Sequence, residues 1–291
     1  MIIGIISYLP NDIQVREQRL KYHKRQIEQF LKLNCPIIIV AQNYKEHEYY
    51  SNSNVLYFKY EQGIGMSTAR NILLEYFYNS NEDWMMMCDD DAYYYNYYDI
   101  DVFFNELQTN PQKFIQLDFI RGKFASKLPF KKVVYEEPLN TNYYVFKDEN
   151  SIGSLALCIL KNYKKYYNKE FYFDVINPKK GEGYEDKNFC CTIKLNGINT
   201  HILQTFIMST YNYTDNSTLF TTYEDRMKLH EMNNKSSLDK FKDTDFYING
   251  KMNPKYRSEQ VNIERIKPMV ITPNLIPKDK SGTRGSLLGN K

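Results

Sequence analysis

Tryptophan is almost absent from this chain, histidine is scarce, and no cysteine pair has the CxxC spacing: 291 residues hold one Trp, four His and five Cys. Cys35, Cys88, Cys158, Cys190 and Cys191 are odd in number, which argues against a disulfide framework or a zinc site. They read as reduced thiols of a cytoplasmic protein. No apolar run approaches the ~18 residues needed to cross a bilayer. The opening MIIGIISY lacks the basic flank and the length of a secretory signal. A large charge of one sign is missing too, and a net charge of +3 neither requires nor excludes a nucleic-acid partner.

What is present supports a folded core. The hydrophobic fraction is 42% against 25% charged, enough for one large domain with an extension. The 27 tyrosines, with abundant Asn, Lys and Ile, are the signature of AT-rich codons; runs such as Tyr93 to Tyr98 and Tyr143-Tyr144 could also stack on bases or sugars. From Lys251 onward the chain turns basic, with Lys255, Arg257, Arg265, Lys267, Lys278, Lys280, Arg284 and Lys291 against Glu259, Glu264 and Asp279. That stretch reads either as a solvated arm or as a contact to a polyanion.

The pattern alternates strands and helices. Ile2 to Tyr8 is a continuous β-branched run, and Asp12 caps a helix running to about Leu33. CPIIIVAQN and NVLYFKY predict two more strands. GIGMSTARNILLEYFYN predicts a helix from near Ser67, and DWMMMC a fourth strand. DIDVFFNELQTN is expected to be a helix and KFIQLDFI a fifth strand. Gly122 to Asn150 reads as loops and hairpins, with Arg121 and Lys123 as surface charges. SIGSLALCILK returns to strand, YEDKNFCCTIKLNG to a helix ending at Gly197, and NTHILQTFIMSTYNY to a strand or two. A helix follows from about Thr222 to Phe241. The expected class is α/β, a mostly parallel sheet with helices on both faces and a C-terminal extension. The expected division is a main domain over 1–245, in halves 1–120 and 121–245, with a basic, proline-containing arm over 246–291.

In such sheets ligands sit at the carboxyl ends of strands. Ser7, Tyr8 and Pro10 end the first strand, Gln42 and Asn43 the second, and Asp89, Asp90 and Asp91 the fourth. Three adjacent carboxylates repel one another, and a divalent cation removes the conflict. Hard oxygen ligands suit Mg2+ or Mn2+, with positions left for phosphate oxygens. If the acidic stretch stays strand-like, Asp89 and Asp91 point one way and Asp90 the other. One of the pair would then reach a metal and the other a ribose or sugar hydroxyl.

The run GIGMSTARNILLEYF…EDWMMMCDDDA resembles the GT-A glycosyltransferases, especially the large inverting family that uses nucleotide-diphospho-sugars. There a Gly-rich turn leads into an Ala-Arg-Asn helix and then a hydrophobic strand ending in D-x-D. Here these are Gly63 and Gly65, Ala69-Arg70-Asn71, and Asp89 to Asp91. GEGYEDKNFCCTIKLNG supplies a second match, an acidic pair opening a helix that ends at glycine: Glu185-Asp186 and Gly197. The resemblance spans roughly residues 1–240 and implies that Asp186 is the catalytic base. It places Gly65 and Arg70, with Asp89 and Asp90, on a nucleotide-sugar donor, and Asp91 with Asp89 on Mn2+ or Mg2+. By themselves, Glu185 and Asp186 would read as ordinary helix N-terminal charge, and Arg70 as a structural partner for a nearby carboxylate.

Two departures from the family stand out. An acidic uracil contact usually follows the second strand, where this chain has Gln42 and Asn43. A late histidine often joins the metal. Here the candidates are His201, in an apolar strand that suits a core or pocket histidine, and His230, on a polar helix face. The opening ISYLPNDIQVREQRLKYHKRQIEQF…PIIIVAQNY looks like the phage sugar transferases that decorate hydroxymethylated or already glucosylated cytosine in DNA. That resemblance implies UDP-glucose as donor and modified duplex DNA as partner, the target base being flipped out unless a sugar already projects into the groove. Competing readings are a transferase for a bacterial glycan, lipid-linked sugar or protein, and a non-catalytic module that binds nucleotide or DNA.

Overall fold

Continuous apolar runs build the first half of the sheet in this computed structural model, which describes residues 1–94, 100–115, 117–124, 146–148, 157–175, 185–210 and 223–256. Ile2–Tyr8 (β1), Ile37–Gln42 (β2), Val55–Tyr60 (β3) and Trp84–Asp89 (β4) are all parallel, in the order β3-β2-β1-β4. Ile13–Leu31 (α1) and Met66–Tyr78 (α2) connect them. The chain continues through Ala92–Tyr94 (β5), Ile100–Thr109 (α3), Phe119–Phe124 (β6), Phe146–Asp148 (β7) and Leu157–Lys161 (β8). Tyr163–Tyr167 (α4), Glu185–Leu195 (α5), Thr200–Thr210 (β9) and Tyr223–Phe241 (α6) follow, then a hairpin of Tyr247–Ile248 (β10) and Lys251–Met252 (β11). The full sheet order is β3-β2-β1-β4-β8-β6-β9-β5, with β7 also on β9. Beyond β4 the sheet is mixed: β8 is antiparallel to β4 and β6, β6 and β9 are parallel, and β5 and β7 run against β9.

β1 explains why its sequence shows no alternation. Ile3 and Ile5 pack with Ile27 and Phe30 of α1 and Phe103 and Phe104 of α3. Ile2 and Ile6 pack on the other face with Leu73 and Phe77 of α2 and Phe189 of α5. Both faces are dry, so every position is apolar. Gly4 lies on the α2 side, where a Cβ would meet Met85 Sδ at 3.1 Å and Leu73 Cδ1 at 3.2 Å. The missing side chain lets α2 settle close onto β1. The α/β architecture with a helix layer on each face agrees with the sequence reading.

Several local expectations change. Asp90 and Asp91 form a turn between β4 and β5, so the strand-alternation argument does not apply to them. The fifth long strand begins at Phe119 rather than Lys113, because Pro111–Phe114 is a 3-10 turn with proline at its start, where a missing N–H costs nothing. Arg121 is buried, not a surface charge, because β6 lies inside the sheet between β8 and β9. Asn249 and Gly250, both with positive φ, turn the β10-β11 hairpin. Phe246 and Tyr247 join the core beside Phe241. Tyr95 to Tyr98, Tyr143-Tyr144, most of Gly122 to Asn150, and the basic stretch beyond Tyr256 lie outside the described residues. All five cysteines are free and buried.

Leu73 is 1% exposed at the α2–β1 contact. Leu73→Ala should lower unfolding free energy in urea by about 2–5 kcal/mol, without changing the circular dichroism of the folded state.

Candidate functional site

The carboxyl ends of β1, β2 and β3 are level, Tyr8 opposite Gln42 and Gln42 opposite Tyr60, while Ile6 lies opposite Asp89. The acidic end of β4 therefore joins the edge formed by its parallel neighbours. What neutralises it comes from α2. Gly65, at φ 87, turns the chain into α2 without a side-chain cap. The first turns then direct Arg70 to the end of β4. Arg70 Nη2 donates to Asp89 Oδ1 at 2.9 Å, and Nη1 donates to Glu185 Oε1 at 3.2 Å and to Asp186 Oδ1. One guanidinium thus joins the strand-end acid to both acids of α5.

The rest of the Ala-Arg-Asn run holds that guanidinium still. Ala69 is fully buried against the core. Asn71 Nδ2 donates to Phe173 O at 3.0 Å, and its Oδ1 accepts from Phe173 N at 2.7 Å. The Phe173 ring lies 5.2 Å from the Arg70 guanidinium carbon and stacks on Phe189 of α5 at 4.3 Å. Phe173 is therefore the wedge between Arg70 and α5. Sequence reasoning missed it, since nothing local marks one aromatic residue among many.

Asp90 faces a second cluster. It is 2% exposed, and its carboxylate accepts from Ser7 Oγ at 2.7 Å and from Arg19 Nη2 at 2.8 Å. Ser7 Oγ is also 2.6 Å from the Tyr44 hydroxyl. Beneath it Gln26 Nε2 donates to the backbone carbonyls of Asp89, at 2.7 Å, and Ala92, spanning the acidic turn. His23 Nδ1 lies 3.1 Å from Gln26 Oε1. Apart from Ser7, these partners were also missed. Their signal was present: Arg16, His23 and Gln26 share the buried side of α1 with Ile27 and Phe30, and polar residues on a buried helix face need partners.

A third cluster closes the loops after β1 and β2. Arg16 forms a two-pronged pair with Glu48, both bonds 2.6 Å, and donates to Pro10 O at 2.9 Å and Asn43 O at 2.5 Å. Asn43, at φ 61, donates to Leu9 O at 2.6 Å. Gln42 Oε1 accepts from Ile64 N at 2.8 Å, steadying the loop before α2. The donor candidates Pro10, Gln42 and Asn43 thus hold loops with these atoms, while Tyr8 is half-buried beside Arg16 and Arg19.

No protein-family model and no curated protein matches the chain. Among solved structures it is similar to S. aureus TarS 1-349 in complex with UDP-GlcNAc, with 15% identity over 82% of this chain and 67% of that one and a TM-score of 0.48. It is also similar to A197 from STIV, with 14% identity over 73% and 85% and a TM-score of 0.42. GalNAc-T7 with UDP, GalNAc and Mn2+ gives 9% identity over 74% and 43%, with a TM-score of 0.47. These likenesses carry no functional argument; the side chains do.

Asp89, Asp90, Asp91, Glu185 and Asp186 are drawn to one edge, where Arg70 pairs with Asp89, Glu185 and Asp186, and Arg19 with Asp90. Burial, then the charges of Asp89 and Asp90, push Asp91 up to about 8, against the pull of Arg19. Burial and Asp186 push Glu185 up to about 8 although Arg70 pulls it down. Burial opposes the charge on Arg70, yet Asp186, Asp89 and Glu185 together hold it well above the ordinary arginine value. At Asp91 and Glu185, burial and the neighbouring acids thus outweigh the pull of the arginines. Among the described residues, no three His, Cys, Asp or Glu side chains are gathered as a metal cage. The hard oxygens of Asp89 and Asp91 still suit Mg2+ or Mn2+ as a partial shell, left for phosphate and water to complete. His201, second residue of β9, lies opposite Ile120 of β6, and β9 is three strands from β4, so its backbone lies roughly 14 Å from the acidic strand at ~4.8 Å per strand. It does not belong to this edge. His230 falls within α6, its side chain outside the described residues.

Glu48 is 5% exposed and Arg16 holds its pKa below the ordinary glutamate value despite burial. Glu48→Gln should cost about 3 kcal/mol at pH 7 in urea unfolding. A lowered carboxylate stabilises only while ionised, so this cost should shrink as pH falls through and below the glutamate range.

Proposed function

We propose that this chain is a metal-dependent glycosyltransferase of the GT-A type. It would move a sugar, glucose on UDP being our choice, from a nucleotide-diphospho-sugar to a hydroxyl acceptor with inversion. The observation that supports this most is the convergence of two acid clusters, from the end of β4 and the start of α5, on one buried guanidinium at the carboxyl edge of the sheet. Neither cluster alone exceeds what ordinary surface charge would produce.

The roles follow from position. Asp186 keeps 19% of its side chain exposed while tied to Arg70, so it is oriented yet open to an acceptor. Its carboxylate takes the proton of the acceptor hydroxyl as that oxygen bonds to the anomeric carbon. The bond from that carbon to the diphosphate oxygen breaks, and the diphosphate leaves with the electron pair. Asp89 and Asp91 would hold Mn2+ or Mg2+, whose chemistry there is to offset the charge of the leaving diphosphate. The start of α5 suits acids, since a helix N-terminus favours negative charge. Glu185, 3% exposed, orients its neighbour from inside.

For the acceptor we propose hydroxymethylated or glucosylated cytosine in duplex phage DNA. The support is the resemblance of the N-terminal stretch and the basic composition from Lys251 onward. A bacterial glycan, lipid-linked sugar or protein acceptor is the alternative that the same assay separates.

UDP-sugars should be hydrolysed slowly in the presence of Mn2+, and Asp186→Asn should lower turnover about 10²–10⁴-fold while donor still binds at saturating metal. Hydrolysis by the variant at the normal rate would remove Asp186 from the chemistry. If no donor turns over although nucleotide binds, the non-catalytic reading holds. Mass spectrometry of hydroxymethylated duplex DNA incubated with the preferred donor should show an added hexose. Binding to that duplex should weaken steeply as salt rises; flat salt dependence and unmodified DNA would move the acceptor to a glycan, lipid or protein.

A further inference from the structure

We propose that Arg70 is a positioning residue, an internal counter-ion that a divalent cation competes with at Asp89, so that loading the donor side transfers the guanidinium to Asp186. The transfer to Asp186 matters for turnover only if the transferase reading holds. The competition itself needs only this chain and a metal ion.

Arg70 is 1% exposed, so solvent does little to neutralise it. Its plane is fixed by the Phe173 ring, which Asn71 anchors through two backbone hydrogen bonds. The guanidinium therefore cannot leave the site readily; what can change is how it is shared. Its two terminal nitrogens serve different clusters: Nη2 bonds Asp89, and Nη1 bonds Glu185 and Asp186. Its Nε is buried without a partner among the described residues. A single positive charge thus serves three carboxylates, and any second cation at Asp89 repels Arg70 from that side.

This arrangement sets signs that simple structural support does not. Neutralising Arg70 removes a repelling charge next to Asp89, and metal affinity rises. Neutralising Asp186 leaves Arg70 with one fewer competitor for Asp89, and metal affinity falls. Were Arg70 merely a prop, its neutralisation would lower metal affinity and turnover together.

The test is Mn2+ titration of the full chain without nucleotide, with free Mn2+ read by electron paramagnetic resonance. At effective dielectric constants typical of protein sites, Arg70→Gln should bind Mn2+ about tenfold more tightly than wild type, Arg70→Lys within about threefold of it, and Asp186→Asn about threefold more weakly. With UDP-glucose and saturating Mn2+, Arg70→Gln should lower kcat more than it changes KM, with partial recovery in Arg70→Lys. Equal or weaker Mn2+ binding by Arg70→Gln, or no binding by either protein, overturns the proposal. If Arg70→Gln fails to fold, Asp186→Asn decides, since it keeps the buried cation; unchanged or tighter binding there overturns it. If the metal affinities shift as stated but wild type turns over no nucleotide-sugar, the counter-ion role stands and the transferase reading falls.

Discussion

A buried guanidinium with too many partners organises this protein. Arg70 would be costly to bury alone, and Asp89, Glu185 and Asp186 would repel one another at the sheet edge. Together they fix the mutual position of three elements distant in sequence: α2, the end of β4 and the start of α5. Glycine makes the approach feasible at two points. Gly4 lets α2 lie close on β1, and Gly65 takes the positive-φ conformation that starts α2 in the right direction.

The neighbouring acids have different fates because their surroundings differ. Asp89 keeps 27% of its side chain exposed, whereas Asp90 is sealed between Ser7 and Arg19. Asp90 therefore acts as an anchor for the turn, with Gln26 bracing the same turn through main-chain carbonyls. The partly exposed acids of this edge are Asp89, Asp91 and Asp186. A site with firmly held walls and a few open carboxylates is what preorganised electrostatics requires.

The parallel half of the fold was legible because burial on both faces writes itself as unbroken apolar runs: β1, β2 and β4 fall where Ile2 to Tyr8, CPIIIVAQN and DWMMMC placed them. Asp12 likewise caps α1, accepting from Val15 N at 3.0 Å. The three-residue β5 was not legible, since its pairing depends on β9, far along the chain. The Asn249-Gly250 turn was legible and went unread; its dipeptide is a strong hairpin signal. In the site, residue types and spacing pointed to the acids, but no local pattern could say that Arg70 would serve both clusters. Nor did the sequence name partners for Arg16 and Arg19 of α1. Arg16 binds Glu48 and the loop carbonyls, and Arg19 pairs with Asp90.

The role proposed for the acidic end of β4 is to share a divalent cation with a diphosphate. Crystals grown with MnCl2 and UDP and measured at the manganese absorption edge test it most directly. An anomalous peak is expected at coordination distance from the Asp89 or Asp91 carboxylate, with UDP phosphate oxygens on its other side. UDP bound elsewhere, or no peak there while Asp89 stays paired with Arg70, would contradict it.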